Sequence, residues 1–227
     1  MDNLKNLAII PARSGSKRIP KKNIKDFLGK PIIEYTIKHA IDSGVFDEIH
    51  ISTDSEEIAN YGKKFDLVPN FLRKKNISLD SSSLNDVIKF VLEKFNNQKK
   101  KFENICLLWA TNPLRKPEDI IDSLKLLNSG KMNAIVAVSG YDLPVQCSMI
   151  QKKNNYLKPL FPKDFWKTSS EFPKVFCDIG SLAWVKTKAF NKYENWFPPK
   201  TSPFYIEKER AVDIDNLNDW KLAEYYF

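Results

Sequence analysis

The chain of 227 residues is short of the side chains that most often carry metal or nucleophile chemistry, with three cysteines and two histidines. Cys106, Cys147 and Cys177 are scattered, with no metal-binding spacing and no even set for disulfides. Each lies among apolar or aromatic neighbours, so they read as buried free thiols. His39 and His50 fall on an expected helix and an expected strand, where structural roles are the expectation, and two histidines do not suit a zinc site or a His-based triad. Apolar runs are also short. None reaches the roughly 18 to 20 residues that span a bilayer, and the polar start leads straight into a strand-like stretch, so neither membrane insertion nor a signal peptide is expected. The expectation is a cytoplasmic protein. Arginine is scarce too: five of the 36 basic residues are Arg and the rest are Lys spread along the chain. A net charge of +8 invites a nucleic-acid reading, but Arg is the residue of planar phosphate recognition, and dispersed Lys fits a solvated surface or a small polyanionic substrate better.

What is present is enough apolar and aromatic material, 42% and 12%, to bury a sizeable core. Short apolar runs alternate with helix-length amphipathic ones: strands at 7–10, 48–52, 105–109, 134–138 and 181–185, and helices at 31–43, 55–65, 84–95, 117–127 and 217–226. Pro31 and Gly44 bracket the first helix, and Ser55 suits an N-cap. Such alternation predicts an α/β, three-layer fold, a mostly parallel sheet with helices on both faces. One domain over 1–227 is expected. Residues 141–175 break the rhythm, being rich in Pro and aromatics, and read as a small irregular arm or flap. Its apolar residues are unlikely to stand bare in solvent, so a dimer contact is expected there.

In open α/β sheets ligands bind at the carboxyl ends of strands. The loop after the first strand runs Pro11-Ala12-Arg13-Ser14-Gly15-Ser16-Lys17-Arg18-Ile19-Pro20-Lys21-Lys22-Asn23. It is neither a P-loop nor a dinucleotide fingerprint. Five cations on a loop of small residues still suggest a polyphosphate cradle, with a solvated basic loop as the alternative. Near the other end, Asp213 and Asp215 flank Ile214, so an extended backbone points both carboxylates to one side. Two hard oxygen ligands suit Mg²⁺, with Mn²⁺ possible; the alternative is an N-cap cluster in which Asp215 or Asn216 caps the last helix. Asp219, one turn on, is expected to face solvent.

Taken in order, Arg13-Ser14-Gly15-Ser16-Lys17, Lys22-Asn23, Gly29-Lys30-Pro31, Ser52-Thr53-Asp54, Phe71-Leu72-Arg73, Thr111-Asn112-Pro113-Leu114-Arg115 and Asp213-Ile214-Asp215 resemble the acylneuraminate cytidylyltransferases. These enzymes activate nine-carbon 2-keto acid sugars with CTP. The Lys22-Asn23 pair sets the chain apart from the related family acting on an eight-carbon sugar. The resemblance implies a Rossmann-like nucleotidyltransferase fold, CTP and a nonulosonic acid as substrates, and a homodimer. It gives Arg13, Lys22 and Asp215 catalytic roles. Ala12, Arg13, Ser14, Gly15, Ser16, Lys17, Lys22, Asn23, Arg73, Ser82 and Ser83 (or Ser81) would bind the nucleotide, and Asp213 and Asp215 the metal. Trp109, Thr111, Gln146, Asp178 and Gly180 would face the sugar.

The sugar side departs from the sialic acid enzymes. Trp109 stands where they carry Gln, and Phe176-Cys177-Asp178-Ile179-Gly180 replaces their Y-x-x-N-G. With Pro144-Val145-Gln146 and Phe161-Pro162, the pattern is closer to the pseudaminic acid enzymes. Where those usually carry an Arg, the chain has Thr168-Ser169-Ser170, with Lys167 beside it.

Overall fold

A computed structural model describes residues 2–67, 71–74, 77–78, 82–141 and 143–227; Ser81 lies outside them. Six strands form the main sheet: β1 (Asp2–Pro11), β4 (Glu48–Ser52), β5 (Lys100–Leu108), β6 (Ala134–Gly140), β9 (Phe176–Lys186) and β10 (Thr201–Tyr205). Their order is β10-β6-β9-β5-β1-β4. β1 pairs in parallel with β4 and β5, and β10 with β6, while β9 runs antiparallel between β5 and β6.

The apolar run of β1 explains why helices cover both faces. Ala8 and Ile10 pack with Ile33 and Ile37 of α1 (Ile32–Ser43), Ile58 of α2 (Glu56–Lys63) and Ile120 of α4 (Pro117–Ser129). Leu7 and Ile9, one residue out of phase, pack on the other face against Val87, Val91 and Phe95 of α3 (Leu84–Asn97) and Phe190 of α5 (Thr187–Tyr193). The expected α/β class and its mostly parallel sheet are therefore the observed ones.

Where structure and expectation differ, local chemistry gives the reason. Strand β10 contains Pro203, which a central strand does not tolerate, and it occurs at the sheet edge. Helix α5 is seven residues long, with little room for an amphipathic period. Strand β9 begins at Phe176, so Asp178 and Gly180 belong to the sheet. Two small antiparallel hairpins stand outside the main sheet: β2 (Asp26–Phe27) with β3 (Lys30–Pro31) before α1, and β7 (Met149–Gln151) with β8 (Leu157–Pro159) between β6 and β9. The thiols also differ from expectation: Cys106 is buried, but Cys177 is half-buried and Cys147 exposed, because it sits in the loop that leads to the hairpin.

A third apolar cluster positions the site. Ile19 of the basic loop is buried together with Phe27, Leu114, Val212, Ile214 and Trp220. Trp220 belongs to the last helix, α6 (Leu217–Tyr226). Val212 and Ile214 thus pull the acidic segment inward, and Ile19 draws the basic loop down beside it.

Candidate active site

The carboxyl ends of β1 and β5 open on a cavity of about 500 Å³, a usual size for a small-molecule site. Arg13, Ser16, Lys17, Arg18, Lys22 and Asn23 line it from the basic loop. The fifth loop cation turns away: Lys21 pairs with Glu57 at 3.0 Å, on a backbone in the left-handed region (φ 53°). Arg73, Ser82, Trp109, Thr111 and Asp215 complete the wall relevant here.

Opposite charges from the two chain ends meet in this cavity. Arg18 donates to Asp215 at 2.7 Å across 197 positions of sequence. Lys22 Nζ donates to the Ile214 carbonyl at 2.6 Å and lies 3.6 Å from the Asp215 carboxylate. Asn23 Nδ2 holds the Arg13 carbonyl at 2.8 Å, fixing the curl of the loop.

Arg73 is a buried cation, and its backbone N–H is pinned to the Thr53 carbonyl. Its Nε and one Nη are buried without a hydrogen-bond partner among the described residues. Burial pulls its pKa down, Asp54 opposes that, and Arg13 adds to it. A desolvated guanidinium lining a cavity with two open donors is suited to an acceptor-rich ligand. Asp54, whose carboxyl burial acts to raise, is held below its ordinary value by hydrogen bonds from the Ser14 N–H and hydroxyl.

At the acidic end the two roles weighed for the segment separate. Asn216 is the N-cap of α6, accepting from Asn218 and Asp219, and the Asp219 carboxylate accepts from the Asp215 and Asn216 N–H groups. Asp219 is therefore part of the cap, a correction to its expected solvent-facing position. Capping consumes these two residues and leaves the carboxylates of Asp213 and Asp215 for other work. Val212 and Ile214, which alternate with them along the chain, are buried, so the two acids project away from that apolar side. Asp215 lines the main cavity and Asp213 a neighbouring one of about 470 Å³.

Crowding by the surrounding protein raises the Asp213 pKa, and Asp215 and Asp178 raise it further against the pull of Lys22. A carboxylate destabilised by its neighbours' negative charge is one that a cation relieves. Gly180 has φ +56°, and a Cβ there would stand 3.1 Å from the Asp213 carboxylate, so glycine permits both the turn and the approach. Among the described residues no group of three or more His, Cys, Asp or Glu is placed to hold a metal. Two carboxylates completed by phosphate oxygens and water are nevertheless the usual donor set of Mg²⁺, so the residues fit that ion.

Other residues fall outside this cavity. Ala12 is fully buried, its N–H bonded to the Ser52 carbonyl. Ser14 is occupied by Asp54, and Ser83 caps α3 in a reciprocal pair with Asp86. Gly15 sits on the exposed side of the loop, with open space where a Cβ would be. Asp178, raised in pKa by burial, and Gly180 stand behind Asp213. Gln146 lies in a separate cavity of about 670 Å³ beneath the arm, its side-chain oxygen buried and without a hydrogen-bond partner among the described residues. The histidines are not in the site: burial lowers both His39 and His50 to a pKa of about 3, keeping them neutral. Sequence reasoning did not place Arg18 on Asp215. The signal was present in the position of Ile19, an apolar residue inside a basic loop, which has to be buried somewhere.

Residues 7–159 match the family model described as cytidylyltransferase. The chain is 34% identical over 221 residues to a pseudaminic acid cytidylyltransferase of Campylobacter jejuni, covering 97% of this chain and 95% of the relative. It is 33% identical to a CMP-N,N'-diacetyllegionaminic acid synthase of Legionella pneumophila, over 96% of this chain and 94% of that protein. The fold superposes on a CMP:2-keto-3-deoxy-manno-octonic acid synthetase solved with CTP, at a TM-score of 0.71, 15% identity and 97% of both chains. With the family model spanning most of its length and relatives above 30% identity along nearly all of it, the chain belongs to the cytidylyltransferase family.

Proposed function

We propose that this protein couples CTP to a nine-carbon 2-keto acid sugar, with pseudaminic acid as the lead candidate, giving the CMP-sugar and pyrophosphate. The observation that carries the reading is the meeting of the basic loop and Asp215 in one cavity beside the unpaired, buried Arg73. Arg13, Lys17 and Lys22 supply positive charge for a triphosphate, and Arg73 offers its two open donors to the nucleoside. Trp109 and Thr111 form the wall nearest the acceptor sugar. The anomeric hydroxyl attacks the α-phosphorus in line, its bond to phosphorus forms as the bond to pyrophosphate breaks, and the hydroxyl proton passes to solvent or a carboxylate. Such chemistry is governed by positioning and charge neutralisation. Lys22 is placed to offset charge on the reacting phosphate, and Arg13 to hold the leaving pyrophosphate. Asp213 and Asp215 would hold Mg²⁺ (or Mn²⁺), which when bound supplies further neutralisation of phosphate charge.

The test is pyrophosphate release with Mg²⁺ across the four common nucleoside triphosphates and a panel of nonulosonic acids. Release with CTP and pseudaminic acid is the expected result, and none with any pair would overturn the reading. Because the Legionella relative is almost as similar as the Campylobacter one, legionaminic acid is the second candidate, and N-acetylneuraminate, whose enzymes carry Gln at the Trp109 position, ranks below both.

A homodimer is proposed from the arm. Leu143 and Trp166 are 78% and 84% exposed, and Met149, Ile150 and Leu157 of the hairpin are also exposed. A second copy seated on this arm would take that surface out of water. Light scattering at micromolar concentration is expected to give twice the chain mass, and a monomer would remove the proposal. Among the described residues no helix is long and apolar enough to cross a membrane. The enzyme is proposed to work in the cytoplasm, where CTP is available, supplying activated sugar for surface glycans.

A further inference from the structure

Arg115 is 1% exposed, and among the described residues no carboxylate forms an ion pair with it. Its Nη1 donates to the Ser181 carbonyl at 2.5 Å and its Nη2 to Thr36 Oγ1 at 2.8 Å. Those two partners are the groups that hold Trp109. The Ser181 carbonyl also accepts the Trp109 N–H at 3.1 Å, and the Thr36 hydroxyl donates to the Trp109 carbonyl at 3.1 Å. One cation therefore ties the exit of β5, which carries Trp109 and Thr111, to α1 and to β9. Ser181 directly follows Gly180, the residue packed against Asp213.

A guanidinium taken out of water with no carboxylate paired directly to it, only the more distant charge of Asp119, is costly, and well-packed neutral side chains commonly join elements at lower cost. Arg115 does not escape by losing its proton: burial lowers its pKa to about 10, which leaves it charged at neutral pH. What a neutral residue does not provide is the planar fork that grips two acceptors at fixed spacing. We infer that Arg115 is a positioning residue: through Ser181 and Thr36 it fixes the Trp109–Thr111 wall of the cavity against β9 and α1, and so the seating of the acceptor sugar. The inference rests on the proposed reading of the cavity. The nucleotide wall, built on Arg13 and Arg73, does not depend on this clamp.

Arg115→Met, Arg115→Lys and Thr36→Val test it, each assayed well below its own Tm. In Arg115→Met the Kd for CTP is expected to stay within about threefold, while kcat/KM for the sugar falls roughly 10- to 100-fold. Arg115→Lys keeps the charge and one hydrogen bond and restores part of the loss. Thr36→Val keeps the cation, cuts its link to the Trp109 carbonyl, and gives a smaller loss of the same kind. In protein carrying 5-fluorotryptophan, the Trp109 resonance, identified by its absence in Trp109→Phe, is expected to move in all three variants. A structural strut alone predicts a lower Tm with unchanged sugar kcat/KM and an unmoved Trp109 resonance, and that result overturns the inference. If Arg115→Met does not fold, the same two readouts in Arg115→Lys and Thr36→Val decide it. If the wild type releases no pyrophosphate with any substrate pair, the proposed function fails instead; the fluorine signal then still decides the clamp, and an unmoved resonance overturns it.

Discussion

The two walls of the cavity are built in opposite ways. The wall proposed for the nucleotide is nearly one stretch of chain, the loop from Pro11 to Asn23, with Arg73 added from a neighbouring segment. The wall proposed for the sugar is collected from the end of β5 at Trp109 and Thr111, is held from α1 and β9, and meets Asp215 from the segment before α6. A contiguous loop keeps its geometry through local bonds such as Asn23 to the Arg13 carbonyl. A dispersed wall keeps its geometry only if the sheet and a buried polar clamp hold distant elements in register. Such a wall can change one residue at a time, as Trp109 and Asp178 differ here from the sialic acid pattern, while the nucleotide loop keeps its motif.

The largest expected effect lies where the walls meet. If Asp213 and Asp215 act on the reacting phosphate, changing either to Asn removes interactions that count most in the transition state. kcat is then expected to fall by roughly 10² to 10⁴ with little change in the KM for CTP. Asp122→Asn, an exposed carboxylate paired with Lys125 on α4, is the matched control and should keep full activity. Asp219→Asn should behave differently from both: it weakens the α6 cap and lowers stability by about 1 kcal/mol with a smaller loss of rate. Near-normal turnover in both metal-wall variants would remove these carboxylates from the chemistry.

The same contrast explains what the sequence revealed. Period-two and period-3.6 patterns located the strands and helices that have strong apolar faces, such as β1 and α1. They missed β10 and α5, where an edge proline and short length erase the pattern. The basic loop was legible because its residues are adjacent. The partition of the acidic segment was not, because spacing alone does not say whether Asp215 or Asn216 takes the cap. That was decided by Asn216 and Asp219 closing a capping box on each other. Arg115 was legible as a motif residue and illegible as a clamp, since Thr36 and Ser181 lie 79 and 66 positions away.

On the nucleotide wall, Arg73 gives the next effect. Arg73→Met removes the guanidinium that lines the cavity, with its two buried, unpartnered donors, so the KM for CTP should rise roughly 10- to 100-fold, the worth of hydrogen bonds from a charged group. Stability should move the other way. A buried cation with unfilled donors is a cost to the folded chain, and an apolar side chain of similar length relieves about 1 kcal/mol of it. Higher Tm with weaker CTP binding is the signature of a side chain kept for its ligand. A lower Tm with unchanged KM would make Arg73 a structural residue and leave the nucleotide wall to the loop alone.

The smallest effect probes whether the two walls are separable. Trp109 is half-buried at the end of β5, its ring against Trp196 at 5.9 Å between centroids, edge to face. Its backbone is held by Ser181 and Thr36, so replacing the side chain need not move the loop. Trp109→Gln introduces the side chain that the sialic acid enzymes carry and opens space in the sugar wall. The ratio of kcat/KM between pseudaminic acid and N-acetylneuraminate is expected to shift towards the latter by roughly tenfold, about 1.4 kcal/mol. Losing the contact with Trp196 should lower Tm by a few degrees, in proportion to the apolar surface uncovered. The Kd for CTP should stay within about threefold, because Arg18, Lys22 and Asn23 bond Asp215, the Ile214 carbonyl and the Arg13 carbonyl rather than the indole. Calorimetric titration with CTP beside sugar competition assays reads all three quantities on one preparation. If CTP binding falls together with sugar turnover, the indole is a shared strut between the walls, and specificity must lie elsewhere, with Asp178 next in line.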